Sequence, residues 1–288
     1  MAIAPDTAIQ VLTTTALAGL LFGAGLSLNW AGIVASLRRN RLAWILPVNF
    51  ILVPAMAFGV ARLFQVPAPI AVGMLLLAAS PFAPVVPTFT RLARGDLALA
   101  AALTGLFPIL SAFVTPLVCE LGLKALLGNS SLEFHSLSIL LALVMTITLP
   151  LALGVAFHQY LPALAFRLLK PVQVLSEGAG AIALIFITCV EFQTIRSIGW
   201  KPLLAMVLLS ELSFVAGYAL SGPAKTSRFV VALGTANRNI ALAILVAVES
   251  FPGTPIVAAV VANGLLLILL GLLHVGWWRL MARVRSSG

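Results

Sequence analysis

Charge is what this chain has least of. Only 9% of its 288 residues are Asp, Glu, Lys or Arg, and Asp and Glu together number 8. A water-soluble domain carries roughly a quarter of its residues charged, so a dispersed globular domain is excluded. Cysteine is almost as scarce. Cys119 and Cys189 both sit in apolar stretches, match no metal-ligand spacing and imply no disulfide framework. The alternating polar and apolar strands of a membrane β-barrel are missing too. No nucleophile–histidine–acid set, phosphate loop or metal spacing appears, so no enzyme and no cofactor are expected. The N-terminus, MAIAPDTAIQ, has no basic n-region. The first apolar run is therefore expected to be retained rather than cleaved.

What fills the chain is apolar sequence: 61% hydrophobic residues and a mean hydropathy of +1.14. The runs are apolar on all faces and about 20 residues long, the length of a bilayer-spanning helix. The expected fold class is an all-α polytopic membrane protein with about nine transmembrane helices. The spans fall near 8–29, 41–63, 67–92, 97–119, 136–157, 173–194, 201–221, 227–250 and 255–278. Connections are short, so a single transmembrane domain covering 1–288 is expected.

The formal charge of +9 does not point to nucleic acid, because the basic residues lie between apolar runs without interleaved aromatics. With nine spans they segregate. Arg38, Arg39, Arg41, Arg91, Arg94, Arg167, Lys170, Lys225, Arg228, Arg279, Arg283 and Arg285 fall on one side, against Arg62, Lys124, Arg196 and Lys201 on the other. Basic loops stay cytoplasmic. The expectation is a multi-pass protein of the cell (inner) membrane, in contact with lipid, with its N-terminus outside and its C-terminus cytoplasmic.

Two spans are interrupted. The third carries SPFAPVVP (80–87), with Pro81, Pro84 and Pro87 inside an apolar run. Each proline removes a backbone donor and clashes with the preceding turn. The eighth carries Gly234, Thr235, Asn237, Arg238 and Asn239 at mid-span. An arginine at a helix centre costs about 2.5–3.5 kcal/mol on insertion scales, so it is expected to face a cavity or a partner. Each interruption precedes one further span, and the spans around them run in opposite directions. That predicts an inverted repeat, about 8–119 and 136–281, with two broken helices crossing at a transporter binding site. Broken backbone is tolerated at membrane depth only where protein buries it or water reaches it.

At these residues the sequence resembles the bile acid:sodium symporter family, as a bacterial-type member. The likeness runs through FGAGLSLNWAGI (22–33), NFILVPAMAFGVARLF (49–64), AVGMLLLAASPFAPVVPTFTRLARGDLALAAALT (71–104) and GTANRNIALAILVA (234–247). ARGDLALA after a proline-containing break is its most specific piece. The resemblance implies a core domain with two crossing discontinuous helices, a panel domain beside it, and alternating access. It also implies sodium ligands at matching positions, and there this chain departs. A Ser-Asn pair is replaced by Val86 and Pro87, one of two hydroxyls by Ala100 while Thr104 keeps the other, a Glu by Gly234, a Gln by Arg238 and another Gln by Asn49. Hard cations need several oxygen ligands, so sodium coupling of the family's kind is not expected.

The expected substrate is a small organic anion held near the crossover. The candidate binding residues are Asn49, Pro84, Pro87, Thr88, Thr104, Thr235, Asn237, Arg238 and Asn239. Arg238 would supply the complementary charge, since its planar fork bonds a carboxylate bidentately. Glu211, in mid-span, is either a proton carrier or a partner of Arg238. Asp96 is expected to cap the fourth span. Substrate identity, transport direction and oligomeric state stay open. The alternatives are efflux of another anion on the same fold and a membrane sensor that binds without transporting.

Overall fold

The computed structural model describes residues 5–27, 41–128, 134–222 and 224–286, excluding the side chains of 5, 6 and 283–286. Arg38, Arg39 and positions 28–33 of the first family segment lie outside these residues, as do the side chains of Arg283 and Arg285. Among the described residues the regular structure is all helical. In order, the helices are α1 (Pro5–Ser27), α2 (Leu42–Leu63), α3 (Ala68–Ala78), α4 (Val86–Ala93), α5 (Leu97–Leu127) and α6 (Ser136–Tyr160). They continue with α7 (Pro162–Val190), α8 (Phe192–Arg196), α9 (Trp200–Leu220), α10 (Lys225–Ala236), α11 (Ile240–Ser250) and α12 (Ile256–Ser286). Among the described residues, 8 helical stretches are long and apolar enough to cross a membrane, α10 and α11 counting together. The third span adds one more crossing in two short pieces, α3 and α4.

Burial sorts the spans. The α10–α11 span has 89% of its apolar window buried, whereas α7 has 17%. The broken span is therefore central and α7 is peripheral. Around the centre, α3 packs on α12, α9 on α10 and α2, and α11 on α1, α3 and α12. The other half of the packing is α1 against α6 and α7. There Gly25 and Gly154 let two backbones touch: a Cβ on Gly154 would lie 2.3 Å from the Phe22 carbonyl oxygen. Small residues at such crossings stand in for the hydrophobic drive that lipid does not supply.

Three span limits differ from the sequence expectation. The fourth runs on to Leu127, the sixth begins at Pro162 rather than 173, and the ninth runs on to Ser286 rather than 278. Pro162 opens α7 at its first turn, where no N–H is needed, and Pro171 is carried inside the helix. The sequence reading also missed two π-helical turns, Val48–Leu52 in α2 and Val144–Thr148 in α6. Each is followed by a proline, Pro54 and Pro150, whose missing N–H deprives an upstream carbonyl of its partner. Asn49 lies in the first of these turns.

Candidate functional site

The two breaks meet backbone to backbone. The Ala83 N–H donates to the Asn237 carbonyl at 3.0 Å, and the Asn239 N–H donates to the Ser80 carbonyl at 2.8 Å. The Ser80 carbonyl, which Pro84 has no N–H to serve, is thus satisfied by the other helix. Thr115 on α5 adds a hydroxyl donor to the Ala79 carbonyl at 2.6 Å. The half-helix after the second break and the full span that follows α4 each begin at a side-chain cap. The Asn239 side chain accepts from the Leu242 N–H at 3.1 Å and opens α11, and Asp96 accepts from the Leu99 N–H at 3.0 Å and opens α5. The second of these is the cap expected from the sequence.

The structure brings Asn49, Thr235, Asn237, Arg238 and Asn239 to this crossing. Asn49 donates from Nδ2 to Thr235 Oγ1 at 3.2 Å and to the Ile45 carbonyl at 2.9 Å. Arg238 is 3% exposed. Its Nη1 donates to the Asn49 carbonyl at 3.4 Å, and its Nε and Nη2 have no partner. Asn237 turns the other way, toward α12, where its Oδ1 lies 2.7 Å from the Cβ position of Gly271. Pro84 and Pro87 are half-buried at the entry to α4, and Thr88 is exposed there. Thr104 is buried on α5 with its hydroxyl unpartnered.

A cavity opens beside Arg238, lined also by Val53, Met206, Ser210, Ser213 and Asn263. It measures about 10 Å³, close to what one water needs. Asn263 is 2% exposed and its Oδ1 is unpartnered. The sequence reading passed over it, although a lone amide in IVAAVVANGLLLILL was a visible signal. Glu211 does not join this cluster. It bonds His274 on α12 at 3.1 Å, and Phe214 stacks on that imidazole with centroids 4.0 Å apart. The Glu211–Arg238 pair weighed from sequence is not formed, because α9 aims Glu211 at α12 and Ser210 and Ser213 at the break.

Phe82 is the other residue that sequence did not suggest. It has a φ of 57° and is fully buried. Its ring stacks on Phe107 with centroids 4.3 Å apart. The same ring fills the space a side chain at Gly234 would take, with a Cβ there 2.0 Å from Phe82 Cε1. Left-handed backbone costs such a residue about 1–2 kcal/mol, and burying the ring returns about 1.5–3 kcal/mol. Of the positions where the resemblance puts sodium ligands, Gly234 and Val86 offer no side-chain oxygen and Arg238 brings a guanidinium, while Asn49 keeps an unpartnered Oδ1, its Nδ2 being the group that donates to Thr235.

A helical membrane chain whose two broken spans cross around buried polar residues has the build of a secondary transporter. The chain belongs to the Sodium Bile acid symporter family, whose model matches residues 14–198. It is 26% identical over 284 residues to the probable chloroplastic sodium/metabolite cotransporter BASS1 of Arabidopsis thaliana, covering 96% of this chain and 68% of that protein. To the probable chloroplastic sodium/metabolite cotransporter BASS2 of Oryza sativa subsp. japonica it is 23% identical, covering 90% of this chain and 62% of that protein. The uncharacterized sodium-dependent transporter YocS of Bacillus subtilis is 35% identical over 120 residues, 41% of this chain and 37% of that protein. The chain thus spans about two thirds of the plant relatives' length.

Proposed function

We propose that the protein carries a small organic anion by alternating access, with Arg238 as the fixed countercharge at the crossing. One observation carries this reading: a guanidinium 3% exposed, with two nitrogens unpartnered and no acidic residue bonded to it. An unpaired buried charge is costly, and an anionic substrate would offset that cost. The adjoining cavity, at about 10 Å³, is too small for an organic anion, so binding requires α9 to move away from α2 and α12. Asn49, Thr235, Asn237 and Asn239 frame the crossing, Pro84 and Pro87 shape it, and Thr88 and Thr104 take lesser parts. The two halves are read as inverted repeats in an inner membrane.

Two positive charges about 4 Å apart repel by about 4 kcal/mol at an effective dielectric of 20. Flux should therefore not require sodium, unlike what the relatives' names state of them. Glu211, bonded to His274, is the proposed proton carrier. The experiment is exchange of labelled mono- and dicarboxylates in liposomes containing only this chain. Expected are flux unchanged when sodium is replaced by potassium or choline, and binding weakened by about 1.5–3 kcal/mol in Arg238→Gln. Glu211→Gln should keep exchange but lose accumulation driven by a pH gradient. Steep, specific sodium dependence sinks the sodium-free reading, and saturable anion binding without flux would make the chain a sensor.

A further inference from the structure

At the opposite end of the half-helices from the crossing, α4, α9, α10 and α12 finish or begin around one open cavity of about 490 Å³, within the size range of ligand sites. Three cations line it: Arg94 from the end of α4, Lys225 from the start of α10 and Arg279 on α12. No acidic residue does. Asp96 lies near but is committed to the Leu99 N–H and the Ser227 hydroxyl. Arg94, Lys225 and Arg279 are exposed and make no side-chain hydrogen bond or ion pair among the described residues. Like charges facing one cavity without counterions raise the potential inside it.

The remaining wall is aromatic. Trp278 is fixed by stacking on Phe229, with centroids 4.2 Å apart, while Trp277 is 54% exposed. Tyr218 holds the opposite side beside Arg228. Trp and Tyr collect at the depth of lipid headgroups, and basic pockets between transmembrane helices hold anionic headgroups. The α12 span stays apolar up to this level.

We propose that this cavity binds the phosphate of an anionic phospholipid, with Arg94, Lys225 and Arg279 as its cations and Trp277 along the glycerol and upper acyl chain. The site is separate from Arg238 and does not rest on the transport reading. Because α4 and α10 lead directly into the two breaks, a bound headgroup would tie together the elements that hold the crossing.

The test uses purified full-length protein in phosphatidylcholine nanodiscs with and without phosphatidylglycerol. Lipid retention is counted by native mass spectrometry, and thermal stability is followed alongside. Wild type should retain phosphatidylglycerol in preference to phosphatidylcholine. Arg94→Gln, Lys225→Gln and Arg279→Gln should each weaken that preference about fivefold, since a basic residue near an anionic surface contributes about 1 kcal/mol. Arg167→Gln with Lys170→Gln, basic at the same end but outside the cavity, should leave it unchanged. In the wild type, which needs no variant to fold, brominated phosphatidylglycerol should quench tryptophan fluorescence more than brominated phosphatidylcholine. Equal losses in pocket and control variants, or equal quenching by both lipids, would overturn the proposal in favour of diffuse surface charge. Stabilisation by soluble glycerol 3-phosphate matching that of the lipid would overturn it in favour of a soluble phosphate ligand.

Discussion

Arg238 is a residue whose burial works against stability and which the proposed function would use. Its guanidinium is buried with two nitrogens unpartnered, and an unsatisfied polar group of this kind costs about 1–3 kcal/mol by mutational measures. Arg238→Met keeps much of the volume and removes the charge. The ligand-free variant is expected to unfold at higher temperature or denaturant than wild type, by about 1–3 kcal/mol, and to lose all stabilisation by organic anions. Differential scanning of detergent-solubilised protein with and without anion reads both effects. A less stable ligand-free variant would mean that the bond to the Asn49 carbonyl makes Arg238 a structural member. The charge itself was legible in sequence, because an arginine amid apolar residues stands out whatever the fold. Its lack of a partner was not, since pairing depends on which face α9 presents, and that face sends Glu211 to His274. Phe82 was not legible either: an aromatic in an apolar run reads as packing. Only the contact with Gly234 shows it closing the place of a side chain.

At the scale of elements, the breaks were legible and the exact helices less so. Prolines and the polar cluster NRN announce where a helix must stop, and Asp96 announces where one starts. The π-helical turns in α2 and α6 leave no such mark, because Pro54 and Pro150 are tolerated within long apolar helices and only the backbone shows how. Helix crossings are equally silent. Glycine is frequent along the chain, yet only some glycines lie where backbones meet. Gly154 is one: a Cβ there would be 2.3 Å from the Phe22 carbonyl oxygen and 2.9 Å from the Gly25 Cα. Both neighbours are backbone, so neither can rotate away. Gly154→Val should destabilise the α1–α6 packing by about 1–3 kcal/mol, the usual cost of overpacking. Gly178→Ala, with nothing within 4 Å of its Cβ position, should be neutral or slightly stabilising, since alanine is the better helix former. If chemical denaturation gives the two variants equal midpoints, the α1–α6 crossing is looser than the backbone approach implies.

The whole molecule ties its ends together in two groups, and these bear on orientation. At one end Arg62 donates to the Ala125 and Leu126 carbonyls, Phe134 stacks with Phe251, and Gln10 bonds Glu249. At the other, Ser227 bonds Asp96 and His158 bonds the Leu26 carbonyl. Every one of these contacts joins span ends that a count of nine crossings puts on the same side. A span too many or too few would force one of them through the membrane. The described basic residues then divide as the sequence divided them, with Arg94, Lys225 and Arg279 at the second end and Arg62, Lys124 and Arg196 at the first. Since the end richer in Lys and Arg stays cytoplasmic, the second end should face the cytoplasm. Cysteines at Gln159 and Ser197, both exposed and on opposite ends, report this directly once Cys189 is replaced by alanine, while Cys119 stays buried. A membrane-impermeant maleimide applied to intact cells should label the Ser197→Cys protein at once and the Gln159→Cys protein only after the membrane is opened. The reverse pattern would invert the protein. Equal labelling of both in intact cells would mean either that the protein inserts in both orientations or that Gln159 and Ser197 share a side. Shared sidedness would contradict the end-to-end contacts as well as the charge bias, because α7 lies between the two positions and is long enough to cross once.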